Sequence, residues 1–185
     1  MRRCTPARRS VTRDVARVRA RWAGARVIST VSSDDKARLA QASGAEEVVN
    51  YRTGEASDEI RALAPKGIDV IVEVAPAQNA ALDVSVLAPN GTVAAYAIDG
   101  GSGLELNVRE LMSRNLRYQF VLAYTVPGAA KDQAVADVAV AVADGALEVG
   151  EHVGLPLHRF PHERTADAHD AVERGAVGKV LVDIS

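Results

Sequence analysis

Several features are scarce in this sequence, and each absence narrows its possible function. The 185 residues include a single cysteine, Cys4, which excludes a disulfide framework and a multi-cysteine zinc site and fits a reducing cytoplasm. No apolar run approaches the roughly 20 residues of a membrane span, so we expect no membrane partner. Aromatic residues are only 4% of a chain that is 48% hydrophobic, which favours an Ala- and Val-packed α/β domain over a β-sandwich.

Acidic residues are nearly missing from the first 26 positions, where nine arginines accompany only Asp14. The net charge of −2 therefore divides into +8 here and −10 in the remaining residues. Such an asymmetry is typical of a basic arm that contacts nucleic acid, and an Arg-rich start also resembles an organellar targeting peptide. We expect neither, because no aromatic residue lies among the arginines before Trp22 and no nucleic-acid module accompanies them.

Strand and helix patterns alternate from residue 26 to the end of the chain. The patterns predict strands at 26–31, 47–51, 68–74, 92–98, 118–124 and 179–184. They predict helices between Asp34 and Gly44 and at 57–64, 78–87, 110–115, 130–146 and 165–174, with Asp34 or Asp35 as the first cap. A loop is expected at 148–160, and Val135, Val138, Val140 and Val142 are expected to pack. This alternation predicts a Rossmann-like, doubly wound parallel sheet.

The tip of the strand at 26–31 lies where a doubly wound dinucleotide fold selects its nicotinamide cofactor. An acid at this tip accepts hydrogen bonds from the ribose 2′-hydroxyl, whereas small polar residues with a cation suit a 2′-phosphate. Here Ser32 and Ser33 end the strand, Lys36 follows one turn into the helix, and Tyr51 ends the next strand. These four residues form a candidate 2′-phosphate site, which favours NADP(H). The alternative is that Ser-Ser-Asp-Asp only caps the helix and Lys36 is a solvated charge.

Two other motifs are interpreted as ordinary structure. The glycine-rich run at 100–103 follows a strand but lacks a helix with Lys-Ser/Thr behind it, so we interpret it as a mobile loop. His158 and His162 are four residues apart, but Pro161 argues against a shared helical face, and no cysteine or close carboxylate completes a ligand set. No metal site is therefore predicted.

Four segments carry a family resemblance: VISTVSSDDKARLAQASGAEEVVNYR, IDVIVEVAP, NGTVAAYAIDG and AHDAVERGAVGKVLVDIS. Together they resemble the cofactor-binding half of the zinc-independent, zeta-crystallin-like quinone oxidoreductases of the medium-chain dehydrogenase/reductase superfamily. The similarity covers about residues 21–185, and the spacing from Lys36 to Asn50-Tyr51 is its most specific part. The resemblance implies a cytoplasmic, NADPH-dependent oxidoreductase whose small-molecule substrate is a quinone or an enone.

The resemblance also implies individual cofactor contacts. Lys36 and Tyr51 correspond to residues that bind the 2′-phosphate. Further along the chain, the positions that line the path of the two riboses are Ala75, Tyr96, Ala97 and Ile98. Arg174 takes the place of a tail arginine that reaches the cofactor. No catalytic residue is identified.

The family pattern has parts that this sequence does not show. In the family, a separate domain covers the nicotinamide, and a first strand leads into a glycine-rich turn that holds the pyrophosphate. Before Trp22 the sequence has no glycine and no β-branched run. We therefore expect an incomplete sheet without its first strand, with a gap, a direct pairing of the second and fourth strands, or exposed edges that favour a homo-oligomer. A truncated or frame-shifted gene start would explain the abrupt change.

The expected organisation has three parts. Residues 1–21 form an atypical Arg-rich segment, residues 22–147 form the Rossmann-like cofactor-binding domain, and residues 148–185 form a tail that packs on the separate domain in the family. The closing strand of this tail is accordingly expected to lack a partner. The alternative function is a non-catalytic remnant that binds nucleotides or serves as an oligomerising scaffold.

Overall fold

The computed structural model describes residues 2–6, 11–147, 150–154 and 156–184, with the backbone alone at 2–6, 11–15 and 153. Its strands are β1 (Arg2–Pro6), β2 (Arg26–Val31), β3 (Glu47–Asn50), β4 (Ile68–Glu73), β5 (Leu87–Ala95), β6 (Arg117–Phe120), β7 (Leu157–Pro161) and β8 (Lys179–Asp183). Its helices are α1 (Val11–Trp22), α2 (Asp34–Ala42), α3 (Ala56–Leu63), α4 (Pro76–Val86), α5 (Val108–Ser113), α6 (Gly128–Ala143) and α7 (Thr165–Glu173). No described helix combines the length and apolar composition that a membrane span needs.

Six parallel strands form one sheet in the order β3-β2-β1-β4-β5-β6. The chain runs outward from the centre in one direction and then in the other, so the predicted doubly wound, Rossmann-like sheet is confirmed. Val31 lies opposite Asn50, and Glu73 lies opposite Ala95. The carboxyl ends of these strands therefore share one edge of the sheet, which is where ligands bind in this class of fold.

The central strand departs from the sequence-based expectation. β1 pairs with β2, where Arg3 lies opposite Val27, and with β4, where Arg3 lies opposite Val70. The expected absence of a first strand, with its gap or direct β2–β4 pairing, is therefore wrong. Ladder hydrogen bonds need an extended backbone between two partners, and the β propensity of the side chains is a weaker, context-dependent term. The segment after β1, where the family has its glycine-rich turn, is residues 7–10; it contains no glycine and lies outside the described residues.

Helix α1 gives two of its arginines structural roles. Arg17 is 5% exposed, and its guanidinium donates to Ser43 Oγ at 3.0 Å and to Ser29 Oγ at 3.3 Å. Arg19 pairs with Asp137 on α6 at 2.6 Å. These two basic side chains hold α1 against its neighbours, which is a different role from that of a free arm.

The main core lies between the sheet and the helices α3 and α4. Ile28, Ile60, Ile68 and Val93 are fully buried there. Burial of a side chain of this size contributes about 1.5–3 kcal/mol relative to exposure. This apolar layer fixes the sheet and therefore the positions of the loops at its carboxyl edge.

Helix α6 packs differently from the sequence-based expectation. Val135, Val140 and Val142 are exposed, with 69%, 49% and 56% of their surface accessible, so the expectation that they pack is wrong. The helix instead buries Ala141 completely. A small residue allows close approach of helix backbones, and the ion pair between Arg19 and Asp137 lies on the same side. The composition of the helix obscured which face is buried, since apolar residues occur all around it.

The tail forms a second small sheet. β7 and β8 pair in parallel, with Leu157 opposite Lys179 and Phe160 opposite Val182. The prediction of a loop at 148–160 is wrong for residues 157–160, which belong to β7. The prediction that the closing strand has no partner is also wrong, because β8 pairs with β7. The hydrogen bonds between β7 and β8 satisfy backbone N–H and C=O groups that were expected to bond to the separate domain. Residues 148 and 149 lie outside the described residues.

Candidate cofactor-binding site

The end of β2 brings three predicted residues together. Ser33 has an extended backbone and caps α2, since its Oγ accepts from the Lys36 backbone N–H at 3.4 Å. This cap was predicted at Asp34 or Asp35, which instead lie in the first helical turn. The Lys36 ammonium donates to Ser32 Oγ at 2.9 Å. The contact holds a cation beside the strand tip, so the Lys36 side chain is not simply a solvated charge.

The local charge balance at this tip is mixed. Asp34 and Asp35 are acidic and exposed in the first turn of α2. Arg38 forms an ion pair with Asp35, which offsets part of this negative charge. The N-terminal end of the helix adds a partial positive charge. An ammonium group has three donors, so Lys36 retains two N–H groups beyond its bond to Ser32.

Tyr51 is anchored to the same corner through its backbone. Its N–H donates to the carbonyl of Val31 at 3.1 Å, directly beside Ser32. Its side chain is partly buried. The structure therefore places all four residues of the predicted 2′-phosphate site at the adjacent ends of β2 and β3.

The ends of β4 and β5 bring the predicted ribose-path residues together. Ala75 is 2% exposed and precedes α4, where its carbonyl accepts from Gln78 N at 3.0 Å and Asn79 N at 3.1 Å. Tyr96 N–H donates to the Glu73 carbonyl at 3.2 Å, which ties the end of β5 to the end of β4. Ala97 is partly buried, and the Ile98 side chain is 71% exposed.

Arg174 lies apart from these residues. It follows α7, which packs against β7 and β8 in the tail. Its guanidinium is exposed and lies 3.5 Å from Asp170 on the same helix. Among the described side-chain contacts, none links Arg174 to the carboxyl edge of the main sheet. Its contact with the cofactor stays a prediction.

The glycine-rich segment after β5 packs against α4 at one point. Gly100 has a φ of +85°, and a Cβ atom there would lie 2.3 Å from the Gln78 side chain. Only glycine therefore fits this position without a shift of Gln78. Beside it, residues 103–105 and α4 line an open cleft of about 440 Å³, whose described lining includes none of the nine predicted site residues.

Sequence reasoning missed a buried pair of acids behind the ends of β4 and β5. Glu73 is fully buried at the end of β4, and Asp83 on α4 is 3% exposed. Glu73 Oε1 accepts from the backbone N–H groups of Val74 at 2.7 Å and Ala75 at 2.5 Å, and from Asn79 Nδ2 at 3.1 Å. The available signal was an acid within an otherwise apolar strand, followed by Asn79 and Asp83 one helical turn apart.

The two acids differ in their titration. Burial raises the pKa of Asp83 to about 9, and the neighbouring charge of Glu73 contributes to this rise. Burial also raises the pKa of Glu73, but the hydrogen bonds from Ala75, Asn79 and Val74 oppose that change. Because Glu73 accepts three hydrogen bonds whereas burial keeps Asp83 protonated up to a pKa of about 9, we assign the proton of the pair to Asp83. Burial and both acids also raise the pKa of Tyr118 on β6.

Comparisons with known proteins agree with one another. Residues 17–144 match the family described as zinc-binding dehydrogenase. The quinone oxidoreductase of Sus scrofa is 30% identical over 173 residues, which cover 88% of this chain and 48% of that protein. The chain therefore spans about half the length of this curated relative.

Two solved structures show the same fold at lower identity. The Escherichia coli quinone oxidoreductase complexed with NADPH aligns with a TM-score of 0.79 at 19% identity, over 99% of this chain and 57% of that one. A 2-haloacrylate reductase aligns with a TM-score of 0.83 at 24% identity, over 100% of this chain and 57% of that one.

Proposed function

Because this chain belongs to the zinc-binding dehydrogenase family, in its zeta-crystallin-like quinone oxidoreductase branch, we propose that it is the NADP(H)-binding part of a quinone or enone reductase. This family match confirms the resemblance found in the sequence, and the family is one of oxidoreductases. The observation that carries the cofactor proposal is the contact of the Lys36 ammonium with Ser32 at the end of β2.

The residues at this corner fit a 2′-phosphate. Lys36 would form a charge-assisted hydrogen bond to it, and the hydroxyl groups of Ser32 and Ser33 would provide neutral donors. Tyr51 would also contact the 2′-phosphate, from the end of β3. Along the rest of the edge, the riboses would follow Ala75, Tyr96, Ala97 and Ile98, with Arg174 reaching in from the tail.

The chemistry of the proposed reaction belongs to the cofactor, since a bound nicotinamide supplies a hydride to an electron-poor carbon or quinone ring. The residues of this chain would bind and orient that cofactor, and we assign no catalytic residue among them. The pig relative is named a quinone oxidoreductase, and enones share the conjugated acceptor that takes up a hydride. We propose a cytoplasmic reaction on a small molecule, with no nucleic-acid partner.

A second candidate function is a non-catalytic module that binds nucleotides or oligomerises. Two observations favour it. The first 23 residues contain no glycine to form the family's pyrophosphate turn. In addition, β6 is an edge strand, and Phe120, Leu122 and Tyr124 at or after its end are 61%, 59% and 89% exposed. An exposed apolar edge favours association, so we keep a homo-oligomer as part of this proposal.

We also propose the three-part organisation expected from the sequence, with divisions after residues 21 and 147. Helix α1 begins within the N-terminal segment and ends at Trp22. The tail contains the separate β7–β8 sheet together with α7. Residue 148, the start of the proposed tail, lies outside the described residues.

Parallel titrations with NADPH and NADH, followed by nicotinamide fluorescence, test this function. We expect NADPH to bind the wild type more tightly than NADH, and Lys36→Ala to weaken NADPH binding about tenfold without changing NADH binding. Lys66→Ala is the matched control, since this exposed lysine lies before β4 at the opposite edge of the sheet. It should change neither affinity.

Two results separate the candidates. If neither cofactor binds at millimolar concentration, the oxidoreductase proposal fails for this chain. If NADPH binds but quinone-dependent oxidation of NADPH is absent, the non-catalytic nucleotide-binding module is the better description.

A further inference from the structure

The buried acids Glu73 and Asp83 require an explanation, because two carboxyl groups in one apolar region are costly to ionise together. Glu73 is the last residue of β4, and Asp83 lies further along the chain, in the second half of α4. The Asn79 amide on α4 also donates to the Glu73 carboxylate. Asn79 lies between Glu73 and Asp83 in the sequence. The cluster is therefore a polar network enclosed by the core and adjoining the carboxyl edge.

A single carboxylate oxygen organises the turn. Glu73 Oε1 accepts both successive backbone N–H groups, from Val74 and Ala75. The carbonyls of Glu73 and Val74 in turn accept from Tyr96 N at 3.2 Å and Asp99 N at 2.8 Å. The side chain of Glu73 therefore holds the backbone of the turn, and this backbone holds the end of β5.

Asp83 approaches this network from α4. Its Oδ2 atom is buried with no hydrogen-bond partner among the described residues, and Glu73 is the neighbouring acid that raises its pKa. Tyr118 is the third titratable group that faces the pair, from β6. Arg114 is directed elsewhere, since its guanidinium bonds the carbonyls of Val84 and Leu87 at the far end of α4. No described cation therefore pairs with the two acids.

We propose that Glu73 and Asp83 share one proton and act as a positioning pair, which fixes the backbone of Ala75 and Tyr96 for the ribose next to the nicotinamide. The inference rests on the proposed cofactor function, and it assigns a role to two residues outside the predicted contact set. Asp83, with the proton, donates to the Glu73 carboxylate. Loss of that proton places two negative charges in one buried region and loosens the turn.

Backbone NMR of the whole chain tests the shared proton without any cofactor. The amide signals of Val74 and Ala75 report directly on the Glu73 carboxylate, because both N–H groups donate to it. We expect both signals to shift together as the pH is raised through about 9, the pKa of Asp83. In Asp83→Asn this transition should disappear, since asparagine donates to Glu73 at every pH. Glu59→Gln, at an exposed acid on α3, should leave it unchanged.

NADPH affinity over the same pH range tests the positioning role. We expect wild-type affinity to fall about tenfold across the transition, while Asp83→Asn keeps its low-pH affinity. The Asp83→Asn profile also serves as the control for pH effects that do not come from Asp83. Glu73→Gln should weaken NADPH binding about tenfold at pH 7, because neutral acceptors form weaker hydrogen bonds than carboxylates.

Each outcome decides part of the inference. Val74 and Ala75 signals that do not titrate, or that still titrate in Asp83→Asn, overturn the shared proton. If the proton is shared but NADPH affinity stays the same across the transition, the positioning role is overturned. If the wild type binds no NADPH at any pH, the proposed function and the positioning role both fail, and the amide titration alone still decides the shared proton. If Glu73→Gln does not fold, Asp83→Asn carries both tests.

Discussion

The carboxyl edge of the sheet has two corners that use charge in opposite ways. At the end of β2, Lys36 and Ser32 form a partly exposed contact that is available to a ligand. At the end of β4, Glu73 and Asp83 are enclosed, and the Glu73 carboxylate accepts hydrogen bonds from the protein's own backbone. The corner at β2 is suited to bind a charged group of a ligand. The corner at β4 is suited to fix the backbone that lines the ligand site.

This difference predicts different responses to mutation. An exposed charge contributes little to folding, since water solvates it in the folded and unfolded states alike. A buried charge is costly when any of its partners is removed. Changes at the β2 corner should therefore alter binding without altering stability, whereas changes at the β4 corner should alter both.

The largest expected effect is that of Glu73→Ala on stability. The substitution removes the acceptor of three donors, those of Val74, Ala75 and Asn79, in a buried region. We expect the free energy of unfolding in urea to fall by about 3–5 kcal/mol. Glu59→Ala on the surface of α3 should change it by no more than about 0.5 kcal/mol. Equal effects of the two substitutions would show that the buried hydrogen bonds of Glu73 do not stabilise the fold.

The pH dependence of stability is the next largest effect. Folded Asp83 keeps its proton up to about pH 9, whereas the unfolded residue releases it near its usual pKa of 3.8. The folded chain therefore binds more protons between these values, and the contribution of Asp83 to stability falls as the pH rises through this window. The slope is at most about 1.4 kcal/mol per pH unit.

Urea unfolding of the wild type and Asp83→Asn at pH 6, 7 and 8 measures this slope. The substitution should remove it, so the variant gains stability relative to the wild type as the pH rises. Parallel curves for the two proteins would show that Asp83 is ionised in the folded state.

Cofactor preference should respond at the other corner. Ser32→Asp introduces an acid beside Lys36, where it would repel a 2′-phosphate and accept from a ribose 2′-hydroxyl. We expect the ratio of NADPH to NADH affinity to fall by about tenfold or more, with stability changed by less than about 1 kcal/mol. Ser57→Asp, at the partly buried start of α3, is the control and should leave the ratio unchanged. An unchanged ratio in Ser32→Asp would argue against a 2′-phosphate at this corner.

The smallest expected effect is that of Arg174→Ala. This exposed side chain pairs with Asp170 within the tail. We expect NADPH affinity, measured by the same fluorescence titration, to fall by only about twofold, since water screens the contact proposed for this exposed charge. An unchanged affinity would contradict the proposed contact between Arg174 and the cofactor.

The sequence predicted the residues that act through local patterns. The strand β2, the helix after it and the cluster of Ser32, Ser33 and Lys36 follow from short-range spacing, and the structure brings them together. The strand β1 was missed because its sequence lacks a run of β-branched residues, and its two neighbours supply the pairing. Glu73 and Asp83 were missed because their meaning depends on burial and on contact between a strand and a helix. Single-residue patterns do not carry that information.

The central claim is that the end of β2 recognises a phosphate on the ribose. Titration of the chain with adenosine 2′,5′-bisphosphate and with adenosine 5′-monophosphate, followed by backbone NMR, tests it most directly. We predict that the bisphosphate binds more tightly than the monophosphate and shifts the signals of Ser32, Ser33, Lys36 and Tyr51. Lys36→Ala should remove this difference in affinity. Equal binding of the two nucleotides, or shifts confined to other parts of the chain, would contradict the claim.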